Sequence, residues 1–314
     1  MSIITNNTNQ PNFVWRAGRE KNSSHKTMSE NEFSVTMLKK SVTALVLTKR
    51  HYDAIVLDLQ DIADSLMGTL THEGLEPYAR EDGYLTEQEL EYSIELGDGE
   101  FFRLYGKMDM FRPSDGDLID WKNTKEAMFN KSKDGQDDDW KFQLTMYNVL
   151  FDLVKPRYYH GLNKMGIEAY LKDLSVVTNY NKGISTDKLR YLTYKIPTEQ
   201  EKSKSLDECI ALVHSYNLLK DTKDEDLPLC SDEYRWAEKV FKIYKGSLEK
   251  HNKAAERGHA NYKTLDDALE GFKKAGFNEK DHVILEVGGE SIRCKFFCDC
   301  RSVCPHAKKM FGGK

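Results

Sequence analysis

Residues 106–122 read GKMDMFRPSDGDLIDWK. Phe101–Phe111 alternates as a strand does, Arg112-Pro113-Ser114-Asp115-Gly116 is turn chemistry, and Asp117–Lys122 is a second extended run, so the stretch predicts a β-hairpin. Side chains repeat every two residues along a strand, which puts Asp120 and Lys122 on one face, and the hairpin brings Asp109 in from the neighbouring strand. Two carboxylates and an ammonium converge. Carboxylate oxygens are the ligands that a hard divalent cation takes, and a lysine beside them can position or deprotonate a water and steady a phosphate. The set suits phosphodiester hydrolysis. Asp-x-Lys by itself is also common on solvated strands, so the flanking residues decide.

With 314 residues the chain can bury one large core, alone or with a smaller appendage. Hydrophobic residues make up 39% and charged residues 31%, the balance of a soluble globular protein. The longest apolar runs, such as Val42–Leu47, are far too short to span a bilayer, so no membrane partner is expected. The start MSIITNNTNQ lacks the basic end and apolar centre of a signal peptide, and the expected location is the cytoplasm. A formal net charge of −5 argues against coating nucleic acid by bulk electrostatics. It does not exclude a nuclease, because acidic residues that collect cations count as negative in that sum.

Taken in order, residues 1–33 are rich in Asn, Ser and Thr without a sustained period and read as a flexible lead-in. Asp61–Tyr78 spaces Ile62, Leu66, Leu70 and Leu75 at helical intervals, and Pro77 predicts its end. His72 projects from that helix; alone it reads as a surface histidine, but the helix directly precedes the strands carrying the two aspartates. Leu90–Leu96 reads as a strand, the segment from Lys125 as a charged loop, and Trp140–Val154 as an apolar helix with Gln143 and Tyr147 on one edge. A tyrosine at that spacing is ordinarily core, whereas a glutamine between apolar neighbours needs polar partners. Further on come strands within Tyr158–Leu171 and Leu189–Ile196 and a helix from Thr198 with Glu201 closing a capping box. Ser231 starts a predicted helix carrying Tyr234, Trp236, Val240, Phe241 and Tyr244, and a short one covers Lys263–Ala275.

The order Gly68-x3-His72, Gly106-x2-Asp109, Asp120-x-Lys122, Gln143-x3-Tyr147 resembles the RecB-type branch of the PD-(D/E)XK nucleases. The resemblance implies an α/β, restriction-endonuclease-like core: a mixed central sheet of about four or five strands flanked by helices. It implies hydrolysis of DNA with Mg2+ or Mn2+, by an exonuclease acting on single-stranded or free ends in recombination, repair or phage replication. An endonuclease on the same fold is the alternative. Carried over by position, His72, Asp109, Asp120 and the main-chain carbonyl of Trp121 would be metal ligands, Lys122 would activate water, and Gln143 and Tyr147 would orient the site. Asp120 departs mildly from the pattern, since many relatives carry Glu there. A helicase or recombinase partner, and the host cytoplasm for a phage protein, accompany the same resemblance. Lys125, Lys131 and Lys133 with Phe129 and Trp140 are candidates for lining the strand's path.

Four of the six cysteines crowd between Cys294 and Cys304, which predicts a metal site rather than disulfides. The tail resembles the iron–sulfur clasp of some RecB-type nucleases, AddB and the CRISPR adaptation nucleases among them. That likeness implies a 4Fe–4S cluster on Cys294, Cys298, Cys304 and the distant Cys230. In those relatives the distant cysteine precedes the nuclease motifs, and here none precedes His72. Cys300 is the alternative ligand, in a local set of four that would equally suit Zn2+. Cys209 reads as a core residue. The expected organisation is a nuclease core at 34–197 and a helical, cysteine-clasped extension at 198–314. A rival reading from another class is a nucleic-acid-binding or redox-sensing iron–sulfur protein with an idle hydrolytic site.

Overall fold

A computed structural model describes residues 2–23, 29–97, 99–136, 138–247, 251–252 and 262–312. The chain forms two compact units, Met1–Leu227 and Pro228–Lys314.

In the first unit the strands are β1 (Ile3–Thr5), β2 (Glu32–Ser34), β3 (Val56–Asp58), β4 (Leu85–Gly97), β5 (Glu100–Arg112), β6 (Asp117–Thr124), β7 (Lys164–Leu171) and β8 (Leu189–Tyr194). The helices are α1 (Asn12–Ser23), α2 (Val42–Arg50), α3 (Leu59–Glu81), α4 (Glu126–Lys133), α5 (Asp139–Val154), α6 (Val176–Asn181) and α7 (Glu199–Leu219). Six strands form a mixed sheet in which β2, β5, β6, β7 and β8 follow one another and β4 pairs with β5. The expected hairpin is there: Met110, Phe111 and Arg112 pair antiparallel with Ile119, Leu118 and Asp117. Gly116, at φ +62°, makes its turn, where a Cβ would meet the Gly161 carbonyl at 2.5 Å. β6 and β7 run parallel and β7 and β8 antiparallel.

The core lies where α5 covers the sheet. Leu144, Met146, Leu150 and Phe151 of α5 and Phe102, Leu104, Met108 and Phe111 of β5 are all fully or almost fully buried. Each such side chain stabilises the fold by about 1.5–3 kcal/mol relative to exposure. Gly106 sets how closely the helix approaches, since a Cβ there would stand 2.8 Å from Tyr147 Cε1 and 2.9 Å from Val35 Cγ2. Tyr147 has little room to yield, because its hydroxyl is bonded on both sides. Gly106→Ala is therefore expected to cost about 1–3 kcal/mol of stability by overpacking. Denaturant unfolding checks this, and an unchanged midpoint would mean that the helix shifts freely.

Several elements differ from the sequence reading. The lead-in is structured: β1 pairs parallel with β3, α1 packs on α3, and β2 joins the main sheet. Of it, residues 1 and 24–28 lie outside the described residues. Pro77 does not end α3, which runs to Glu81; so near the C-terminal end a missing N–H breaks one bond without stopping the last turn. The loop from Lys125 is mostly α4. The unit boundary falls at Leu227 rather than at 197, because α7 packs on α5 and α2.

The second unit is not purely helical. It holds α8 (Asp232–Arg235), β9 (Val240–Gly246), β10 (His251–Asn252), α9 (Leu265–Lys274), β11 (His282–Val287) and α10 (Pro305–Phe311), with β9 between β10 and β11 in a three-stranded sheet. Trp236 takes a left-handed conformation, φ 55°, and stops α8 after one turn. The apolar residues after it, including Val240, Phe241, Ile243 and Tyr244, then pair with β11. β-branched and aromatic residues fit a pleated surface as readily as a helix face. Among the described residues no helix is long and apolar enough to cross a membrane.

Candidate active site

The recorded pairing of β5 with β6 stops at Met110 and Ile119. Beyond that point the Trp121 backbone N–H donates to Asp109 Oδ2 at 2.9 Å, a side chain standing in for the ladder. Into this opening α3 brings His72. Its Nε2 lies 3.2 Å from the Trp121 carbonyl and its Nδ1 3.6 Å from Asp109 Oδ1. With Nε2–H donating to that carbonyl, the Nδ1 lone pair faces the carboxylate side.

A residue not singled out in the sequence completes this corner. Glu87 stands between Thr86, which pairs with Met110, and Gln88, which pairs with Met108, so β4 carries it opposite Asp109. Its φ is +54°, left-handed for a non-glycine residue. One carboxylate oxygen lies 4.0 Å from His72 Nδ1, and the carboxylate also pairs with Lys107. Ligand atoms of His72, Glu87 and Asp109 all fall within 4.8 Å of one another. They line a small cleft with Leu75, Glu76, Met110 and Trp121.

The second half of the site is a buried network. Asp120 is 1% exposed, and its Oδ2 meets Lys122 Nζ at 2.6 Å. Gln143 of α5 locks both partners: Lys122 Nζ donates to its Oε1 at 3.2 Å, and its Nε2 donates to Asp120 Oδ1 and to Tyr147 Oη, each at 2.9 Å. Tyr147 in turn donates to the Lys107 carbonyl at 2.9 Å. The buried amide thus has the partners it requires, and Tyr147 is at once core and network. Gly68 of the same motif set has open space around its Cα, with no packing role. Phe129 is 3% exposed and is unavailable for base stacking, which removes it from any strand path.

The electrostatics are those of a crowded anionic corner. Burial, and then the neighbouring Asp120 carboxylate, hold Asp109 well above the usual carboxylate range. Burial alone would lower Lys122, but Asp120 and Asp109 outweigh it and keep the ammonium charged. Burial, then Asp120, raises Tyr147, so its phenol stays a donor. The raised Asp109 means that the folded state retains a proton that the unfolded chain has released. Its contribution therefore turns unfavourable as pH rises from the ordinary carboxylate range, about 3.9, through the folded pKa. In chelator-treated protein, Asp109→Asn is expected to raise thermal stability at neutral pH by about 1 kcal/mol and to add nothing near pH 4. A loss of stability at neutral pH would contradict this.

Five of the six cysteines lie in the second unit. Cys294, Cys300 and Cys304 are buried, and no disulfide joins the thiols. Burial, then Cys298, Cys230 and Cys304, pushes the Cys294 thiol up to about 11. Cys304 is likewise raised by burial and by Cys298 and Cys230, against the backbone N–H groups of Ala307 and His306 that favour its thiolate. Cys230 thus lies among the tail cysteines. Cys300 Sγ is 3.5 Å from Cys298 Sγ. Cys209, in the first unit, is 1% exposed and raised to about 12 by burial, as a core thiol is.

No family model and no curated protein sequence matches the chain. Among solved structures it is similar to SSO0001, with a TM-score of 0.46 and 17% identity over 70% of this chain and 92% of that one. It is also similar to a phage related exonuclease from Haemophilus somnus 129PT, with a TM-score of 0.33 and 16% identity over 60% of this chain and 94% of that one.

Proposed function

We propose that the chain is a divalent-cation-dependent deoxyribonuclease with a restriction-endonuclease-like core, working as an exonuclease on single-stranded or free DNA ends in repair, recombination or phage replication. One observation carries the reading: the imidazole and carboxylates of His72, Glu87 and Asp109 converge beside the buried Asp120–Lys122 pair that Gln143 and Tyr147 fix in place.

The donor set fits a hard cation. It offers carboxylate oxygens, one imidazole nitrogen and the nearby Trp121 carbonyl, and the raised Asp109 is the mark of negative charge awaiting a counter-ion. When bound, Mg2+ or Mn2+ supplies positive charge beside the scissile phosphate and makes water more acidic. His72, Glu87 and Asp109 would hold it, with Asp120 as the further ligand named from the sequence and Glu87 joining that set. Lys122 steadies the phosphate oxygen and the attacking water, and its charge is secured by Asp120. Gln143 and Tyr147 keep that ammonium within reach rather than touching the reacting atoms. Positioning of this kind is how enzymes lower the cost of bringing water and phosphate together.

The proposal extends to a 4Fe–4S cluster on Cys230, Cys294, Cys298 and Cys304. Cys298 and Cys230 both bear on Cys294 and Cys304, which supports that set, and Cys300, 3.5 Å from Cys298, is the alternative ligand. Among the described residues no three thiol sulfurs lie within 4.8 Å of one another, whereas a tetrahedral zinc site with Zn–S near 2.3 Å has an edge of about 3.8 Å. Such a cluster acts as a structural clasp on residues 228–314.

End-labelled linear and circular single-stranded DNA, incubated with the native protein and Mn2+, test the exonuclease reading. Linear DNA is expected to be lost while circles persist. Cut circles would make the enzyme an endonuclease.

A further inference from the structure

The second unit carries an exposed aromatic surface that the site chemistry does not use. Trp236 and Phe296 are each 50% exposed and Phe297 is 59% exposed, although rings of this size normally fill cores. They are contiguous. The Trp236 and Phe297 centroids are 5.4 Å apart with planes at 53°, and Phe297 and Phe296 are 6.2 Å apart.

Local backbone geometry turns them outward. Trp236 sits in the left-handed position that ends α8. Residues 293–297 form one π-helical turn whose buried member is Cys294, so Lys295, Phe296 and Phe297 face solvent. The turn is held: Arg301 donates to the Phe296 carbonyl at 2.9 Å, and Arg235 donates to the hydroxyl of Ser291 just before it.

Cations interleave with the rings. The Arg293 guanidinium lies 4.0 Å from the Tyr234 centroid and 5.3 Å from that of Trp236, and Lys295 Nζ is 5.3 Å from Phe296. Lys295 also faces Glu290 at 3.7 Å, an exposed pair that a phosphate can exchange with at little cost. Residues 293–309 hold five Lys and Arg against the single acid Asp299, in a chain whose net charge is −5. Two of these cations, Arg293 and Lys295, lie against the rings.

We propose that this surface binds single-stranded DNA, with successive bases stacked on Trp236 and Phe297 and phosphates met by Arg293 and Lys295. The proposal rests on the nuclease reading for its choice of polymer. Stacking needs an exposed π-face, which unpaired bases present and a duplex hides. Protein-binding patches are depleted of lysine, whereas here Lys295 lies against the end of the row of rings.

The test uses the full chain carrying Asp120→Ala, so that binding is read without cleavage, and follows fluorescence anisotropy of a labelled oligothymidylate of about 16 nucleotides. Adding Trp236→Ala and Phe297→Ala is expected to weaken binding about tenfold or more. Trp236→Phe alone, which keeps a stacking face, should stay within about threefold. Arg293→Gln should lower the log–log salt slope by about 0.7. Native affinity in the double variant, with an unchanged melting curve, overturns the proposal. So does a fall in molecular mass on size exclusion without loss of oligonucleotide affinity, which would make the patch a self-association face. Hydrolysis by the native protein is scored separately: digestion with binding blind to both rings removes only this surface, and binding through the rings without any digestion removes the nuclease reading.

Discussion

On the proposed function, Lys122→Met is expected to lower the rate of DNA cleavage by about 10²-fold or more, the scale on which positioned proton-handling groups act. The loss has two parts that can be separated. Chemically, methionine keeps the length of the side chain and removes the ammonium that lies 2.6 Å from Asp120 and 3.2 Å from Gln143 Oε1. Structurally, it leaves Asp120 buried without its counter-charge, and breaking one side of a buried pair costs about 3–5 kcal/mol. Single-turnover cleavage at saturating Mn2+, measured well below the variant's own melting temperature, reads the chemical part. A rate within about threefold of native would reduce Lys122 to an ion-pair partner, below the range expected of a catalytic lysine.

The second large effect concerns the cysteines. If the proposed cluster is present, Cys230→Ser, Cys294→Ser, Cys298→Ser and Cys304→Ser are each expected to abolish bound iron and the visible absorbance that accompanies it, whereas Cys300→Ser is expected to retain about four iron atoms per chain. The pattern follows from which thiols feel one another: Cys230 and Cys298 bear on both Cys294 and Cys304. Loss of the cluster also lowers the unfolding temperature of residues 228–314, because metal-binding free energy is folding free energy in a small unit. Iron retained without Cys230 but lost without Cys300 would install the local set of four, and stoichiometric zinc in place of iron would replace the cluster.

Much of the site was legible in the sequence because it is local or strictly periodic. The β5–β6 hairpin follows from alternation and turn residues, and it fixes Asp109, Asp120 and Lys122 relative to one another. Gln143 and Tyr147 are one helical turn apart, so their shared edge needed no tertiary information. Glu87 was hidden for a physical reason. It stands with Glu89, Glu91 and Glu95 in β4, a series that reads as a solvated strand face, and only the pairing of β4 with β5 sets it opposite Asp109. Counting back from the Glu95–Phe101 pair, inside the irregularity that shifts the register at Gly97, finds it opposite Asp109. The helix expected beyond Ser231 failed on one residue, since the left-handed backbone at Trp236 is a conformation the local pattern does not signal. The structured lead-in escaped for the opposite reason: β1 and β2 are three-residue strands that exist only through their partners, β3 and β5.

The shape of the site also explains a tension. Burial of Asp109 beside Asp120 makes the cation-free site electrostatically unfavourable, so the same groups that suit a divalent ion cost stability without one. On the proposed function, a divalent cation bound there would raise the protein's stability.

The most direct measurement is release of nucleotides from 5′-labelled linear single-stranded DNA by the full-length protein, in Mg2+ and in chelator, beside Asp120→Ala. Digestion by the native chain that requires Mg2+ and disappears in the variant is the predicted result. Digestion that survives Asp120→Ala or proceeds in chelator, or no digestion by protein that carries its cysteine-bound metal, contradicts the assignment of this site.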